Sequence, residues 1–376
     1  MYIAYCSDIP EFANNKLRDE QWSRRFPGSG WITCLHRFGL EYGIEVASGD
    51  VAISNICSLR WNAKDVLVIQ ELNAADGAKL LNYGAIPFII TAFEAPLYAP
   101  FFYDNVRRYT ASFMLRMGYG FATLPGSSDG DCHDAFQLRF PSYYFDDLKE
   151  IPPFQGRKKI VLVAANKYKT KHLFFQEKFS LYGFLRLSKS IVWRVISPTY
   201  RKALSASLHD WRLEAIDYFA RKGDLDLFGS GWDKYDSLPS HWISRLRNII
   251  GKSYLGRCDN KLLVISKYRF SICFENMIWP GYVTEKIIDC FVAGTIPIYL
   301  GAPDVEIFVP SGSFVDMRAF SSFDQLDSYI SSISEDDALR MLLAGRDFLR
   351  TKIGMLHSYE GFARNVLTLA DKSLRV

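Results

Sequence analysis

The chain has 376 residues, of which 49% are hydrophobic, 23% charged and 15% aromatic, and its formal net charge is +4. That length exceeds one ordinary core and sets an expectation of two domains, while the apolar content excludes a disordered chain. With the charges nearly balanced and no long basic tail, no nucleic-acid partner is expected.

In chain order, Met1–Asp8 reads as a short first strand. It has no basic n-region followed by a long apolar h-region, so no secretory signal is expected. No apolar run approaches the roughly 20 residues of a membrane-spanning helix. The seven cysteines are scattered, without a Cys-x-x-Cys pair, and most have apolar neighbours. This favours reduced core thiols over structural zinc and points to a cytoplasmic setting.

Asp65–Gln70 reads as a buried strand, 74–82 as a helix, Ile86–Thr91 as the next strand, 97–108 as a helix and 112–116 as a strand. This βαβ rhythm implies a parallel sheet covered by helices. The Pro-Pro and Gly of 150–157 read as a linker. Lys158–Ala165 then opens a second α/β unit: helix 208–222, strand 224–229, helix 258–267, strand 269–274, helix 282–293, strand 295–300, and helical segments from 323 to 372. The expected fold class is therefore α/β, and two α/β domains facing across a cleft is one arrangement that fits. The expected boundaries are 1–152, 153–345 and a helical C-terminal segment 346–376.

Residues 167–205 break the rhythm. They interleave Lys167, Lys169, Lys171, Lys178, Arg186, Lys189, Arg194, Arg201 and Lys202 with apolar and aromatic residues. Two readings stand: an insertion packed on the body, or a basic amphipathic segment in peripheral contact with an anionic membrane.

The chemistry concentrates between Phe270 and Phe320. A strand ends at Glu275-Asn276, a loop with Pro280 and Gly281 follows, and a helix starts near Thr284, a cap candidate. Lys286 falls in the first helical turn, where the dipole disfavours a cation. An anion such as a diphosphate docked on the same helix end would justify it; an exposed lysine without a task is the bland alternative. Together with Tyr282 and Glu285, these residues suit a phosphorylated, polyhydroxylated ligand.

The elements Phe-x-x-x-Phe-Glu-Asn, Tyr-Val-Thr-Glu-Lys, Ile-Pro-Ile-Tyr-x-Gly and Ser-Phe-Val resemble the α-1,3/4-fucosyltransferase family, and are similar to its bacterial members that build lipopolysaccharide glycans. Fainter likenesses lie at Glu94-Ala95-Pro96, Leu138–Tyr144, Arg212 and Asp226–Trp232. The resemblance implies two Rossmann-like domains in the arrangement called GT-B, GDP-β-L-fucose as donor, inversion at the anomeric carbon, and an acceptor glycan containing N-acetylglucosamine, α-1,3-linked. It implies that Arg212 and Lys286 hold the diphosphate and that Glu275, Asn276, Tyr282 and Glu285 surround the donor. Glu94, in the first domain, is the expected base, although Ala92 stands where part of the family has an acid.

Basic residues can stand in for a cation at the diphosphate, so no metal is expected to be obligatory, with Mn²⁺ or Mg²⁺ at most stimulatory. The Asp-x-Asp of Asp129–Asp131 reads as a solvated loop. The alternatives are a GT-B transferase with a different GDP-sugar, a non-catalytic glycan-binding relative, and a membrane-surface scaffold.

Overall fold

The structure is a computed structural model, and it describes residues 1–25, 28–119, 135–137, 139–168, 191–233, 238 and 240–373. The chain divides into two compact units, Met1–Asp147 with Thr351–Val376, and Leu148–Arg350.

The first unit holds a sheet of strands β1 (Tyr2–Cys6), β2 (Glu45–Ser48), β3 (Val66–Glu71), β4 (Ile86–Ala92), β5 (Leu115–Gly118) and β6 (Ala135–Gln137) in the order β2-β1-β3-β4-β5-β6. Every pairing is parallel. β3 is buried along its whole length, as expected of a strand with helices over both faces. Pro87 offers no amide to a neighbour, and the β3–β4 register shifts beside it, between Val68 and Ile69.

Helix α1 (Gly30–Gly39) buries Trp31, Ile32, Cys34, Leu35 and Phe38, an apolar stripe at helical spacing. The C-terminal helix Tyr359–Ser373 lies against it, with the Trp31 and Phe362 rings 5.1 Å apart. Gly30 makes that approach close, since a Cβ there would meet the Tyr359 ring at 2.4 Å. These contacts explain why the last residues group with the first unit. From the sequence they stood as a separate segment beginning at 346.

The second unit holds β7 (Lys158–Val163), β8 (Leu225–Phe228), β9 (Tyr268–Phe274), β10 (Ile296–Leu300) and β11 (Val315–Asp316) in the order β11-β10-β9-β7-β8, again all parallel. Around it pack α2 (His209–Arg221), α3 (Lys261–Ile265), α4 (Glu285–Ala293) and α5 (Glu335–Leu349). Ile160, Leu162, Phe219, Phe270, Ile272, Ile296 and Ile298 form the centre of its core.

The Pro-Gly stretch read as a linker is fastened to this unit. Arg157 donates to the carbonyls of Pro152, Pro153 (2.7 Å), Tyr268 (3.3 Å) and Gly294 (2.5 Å). Arg346 donates to the carbonyl of Lys149. The unit boundary accordingly falls before these residues.

Helix 191–196 exposes Ile191, Val192, Val195 and Ile196. The remainder of the basic segment, 169–190, lies outside the described residues, as does Asp129–Asp134. Among the described residues, no helix is long and apolar enough to cross a membrane.

Candidate functional site

The carboxyl ends of parallel strands are where ligands gather in open α/β sheets. In the second unit, that edge carries a cavity of about 490 Å³. Its floor is the end of β7 (Val163–Ala165) and the turn after β8 (Gly229, Ser230); its walls include Arg212 from α2, Asn276 after β9, and Glu285 and Lys286 from the first turn of α4. Gly229 has φ +129°, and a Cβ there would stand 2.0 Å from the Ala164 carbonyl oxygen. Only glycine fits where the two strand ends meet.

Glu275 organises the wall from behind. It is 0% exposed, and its carboxylate accepts the Thr284 amide, the Thr284 hydroxyl and the Lys286 ammonium, each at 2.9 Å. Thr284 does occupy the N-cap of α4, but its side chain makes no cap bond. The hydroxyl turns to Glu275 instead, which corrects the capping role expected from sequence. Gly301 permits this packing: a Cβ at that position would lie 2.5 Å from Glu275 Cγ.

The lysine in the first helical turn has two protein counterions, Glu275 at 2.9 Å and Glu285 at 3.5 Å. Burial pushes the Lys286 ammonium down, but Glu275 and Glu285 outweigh it and raise the pKa. Burial would raise Glu285, yet Lys286 and then Lys261 hold its carboxyl down to about 2. Both groups are therefore charged at neutral pH.

Arg212 is 4% exposed. Its Nη2 donates to the carbonyls of Phe274 (2.7 Å) and Glu275 (3.0 Å) and to Asn276 Oδ1 (3.3 Å). The Asn276 amide then donates to the Tyr282 hydroxyl at 3.0 Å. Asp304 accepts the Gly281 amide at 2.8 Å and holds the intervening loop.

The structure thus brings Arg212, Glu275, Asn276, Tyr282, Glu285 and Lys286 into one connected network. Arg212, Asn276, Glu285 and Lys286 line the cavity, and Glu275 and Tyr282 are not part of its lining. Glu94 belongs to the first unit, where its backbone carbonyl accepts the Tyr103 hydroxyl at 3.0 Å.

Sequence reasoning missed Lys167, Arg257 and Lys261 as wall residues. Lys261 pairs with Asp289 at 2.6 Å and approaches Glu285 at 3.9 Å. Its position at the start of α3 was readable, but its partners lie far along the chain. The described cysteines are free thiols, and Cys273 and Cys290 place their sulfurs 3.2 Å apart between β9 and α4. Among the described residues, no group of three or more His, Cys, Asp or Glu could hold a metal ion.

Two α/β units, each built on an all-parallel sheet, are the elements of the fold called GT-B. The fold is shared with the glycosyltransferase of Rickettsia africae ESF-5, at a TM-score of 0.55 and 10% identity, over 99% of this chain and 98% of that one. Residues 221–343, within the second unit, match the family model "Glycosyltransferase family 10 (fucosyltransferase) C-term".

The chain is 35% identical over 133 residues to the α-(1,3)-fucosyltransferase FucT of Helicobacter pylori, which is 34% of this chain and 27% of that protein. It is 33% identical over 167 residues to the 4-galactosyl-N-acetylglucosaminide 3-α-L-fucosyltransferase 9 of Rattus norvegicus, 42% of this chain and 40% of that protein. The matches thus span well under half of these relatives.

Proposed function

We propose that the protein is an inverting glycosyltransferase that moves L-fucose from GDP-β-L-fucose to a hydroxyl of an N-acetylglucosamine-containing glycan, in α-1,3 linkage. The observation that carries this reading is the cavity at the β7–β8–β9 edge, where Arg212 and Lys286 stand beside Asn276 and Glu285. A nucleotide diphosphate suits it: arginine offers a planar fork for phosphate oxygens and lysine a compact charge. Glu285, ionised and one-third exposed, suits a ribose or sugar hydroxyl.

In the proposed reaction, Glu94 takes the proton of the acceptor hydroxyl as that oxygen attacks the anomeric carbon. The bond from this carbon to the diphosphate breaks, and GDP leaves with the electron pair. Attack opposite the leaving group converts the β-linked donor into an α-linked product. Arg212 and Lys286 stabilise the charge that develops on the departing diphosphate, a pre-positioned contribution. In this reading the second unit binds the donor, the first unit binds the acceptor, and no metal is obligatory.

The test is GDP release by the purified protein with GDP-fucose and a panel of acceptor glycans, with and without EDTA. Acceptor-dependent release that survives EDTA is expected. GDP binding without release from GDP-fucose would move the reading to another GDP-sugar. An absence of GDP binding would remove it.

A further inference from the structure

The carboxyl edge of the first sheet holds a carboxylate that the proposed chemistry does not use. Glu71 ends β3 and is 9% exposed. The Tyr5 hydroxyl donates to it at 3.0 Å and the Ser7 hydroxyl at 2.7 Å. Both bonds fall on the same oxygen, Oε2, and no described residue donates to Oε1. No described lysine or arginine pairs with Glu71. A buried carboxylate is ordinarily matched by a cation, because its desolvation is otherwise uncompensated.

Strand register fixes the surroundings. Cys6 pairs with Gln70, and Glu71 pairs with Thr91. Ser7, Glu71 and the residues after Thr91, Glu94 among them, therefore emerge at one edge of neighbouring parallel strands. Burial raises the Glu71 pKa; the Ser7 and Tyr5 hydroxyls oppose that rise, and the charges of Glu94 and Asp8 add to it. Glu94 is thus close enough for its charge to bear on Glu71.

An architectural task alone fits poorly. A glutamine could accept the same two hydroxyls through its amide oxygen without burying a carboxyl. The feature a carboxylate adds is a second oxygen that can accept a sugar hydroxyl, where the amide nitrogen of glutamine only donates.

We propose that Glu71 is an acceptor-binding residue, its Oε1 taking a hydroxyl of the acceptor sugar beside Glu94 at the edge of the first sheet. The inference rests on the transferase reading above and adds a specificity-determining residue to it.

The experiment measures GDP release with N-acetyllactosamine and GDP-fucose varied separately, alongside thermal unfolding, for wild type, Glu71→Gln and Ser7→Ala. Glu71→Gln should raise the KM for N-acetyllactosamine about tenfold or more, the scale of a lost hydrogen bond to a charged group. The KM for GDP-fucose should stay within about twofold, since the residues proposed for the donor lie in the other unit, and the melting temperature should hold. Ser7→Ala removes one brace from Oε2 and leaves Oε1 in place, so its acceptor KM should stay near the wild-type value.

An unchanged acceptor KM in Glu71→Gln, an equal rise in both KM values, unfolding of Glu71→Gln, or a Ser7→Ala defect as large as that of Glu71→Gln would each overturn the assignment. If wild type itself releases no GDP with any acceptor, the transferase reading has failed instead, and the two failures are distinguishable.

Discussion

Substituting Lys286 by methionine tests whether the wall of the cavity is held by charge. The side chain is 15% exposed and its first partner, Glu275, is 0% exposed. Removing the ammonium leaves Glu275 with only the Thr284 amide and hydroxyl. Breaking a buried pair from one side costs about 3–5 kcal/mol. The two remaining donors and the partial exposure of Lys286 place the expected cost near the lower bound, about 3 kcal/mol. In a unit of this size each kcal/mol shifts the melting temperature by about 2–4 °C, so a fall of about 6–12 °C is expected.

The companion variant is Glu275→Gln with Lys286→Met. It removes the stranded charge and should recover stability to within about 1 kcal/mol of wild type. Calorimetry and urea unfolding read both quantities. A single variant within about 1 kcal/mol of wild type, or a double variant no better than the single, would refute the account of Glu275 and Lys286 as a coupled buried pair.

Glu94→Ala should lower turnover about 10²–10⁴-fold, the range for loss of a general base, with GDP affinity retained in calorimetric titration; unchanged turnover removes Glu94 from the mechanism. Gly301→Ala forces a methyl group against Glu275 and Tyr299 and should cost about 1–3 kcal/mol in denaturant unfolding, together with weaker GDP binding. His357 is buried, and burial pushes its pKa from 6.5 down to about 3. The unfolded ring takes a proton below about 6.5 while the folded ring stays neutral, so stability should fall on acidification through that window, by up to about 1.4 kcal/mol per pH unit. His357→Gln should flatten this limb of the pH–stability curve.

Much of the second unit was legible because its strands are continuous apolar runs punctuated by glycine and proline. Tyr268–Phe274, Ile296–Leu300 and the helix between them lie within a residue or a few of their expected bounds. The first unit was harder. Helix α1 and the four-residue β2 received no assignment. α1 mixes Thr, Cys, His and Arg into its apolar stripe, and β2 is too short for its alternation to register.

The sequence placed Lys286 in an unfavourable helical turn but could not show that Glu275, eleven positions earlier, neutralises it. Thr284 stood where a cap belongs, and only tertiary contact diverts its hydroxyl. Glu71 escaped notice because the expected strand stopped at Gln70. A carboxylate's burial and the spare oxygen it presents are properties of folded neighbours, not of local pattern.

The Arg157 guanidinium gathers carbonyls from the segment entering β7, from the start of β9 and from the end of α4. All of these lie at the amino ends of the strands, opposite the edge that carries Arg212, Glu285 and Lys286. The two margins of the sheet therefore do separate work, one fastening the fold and the other lining the cavity. Replacements around the cavity should alter its lining while the fastening beneath keeps the architecture, and changes at Arg157 should be felt in persistence of the fold before they are felt at the cavity.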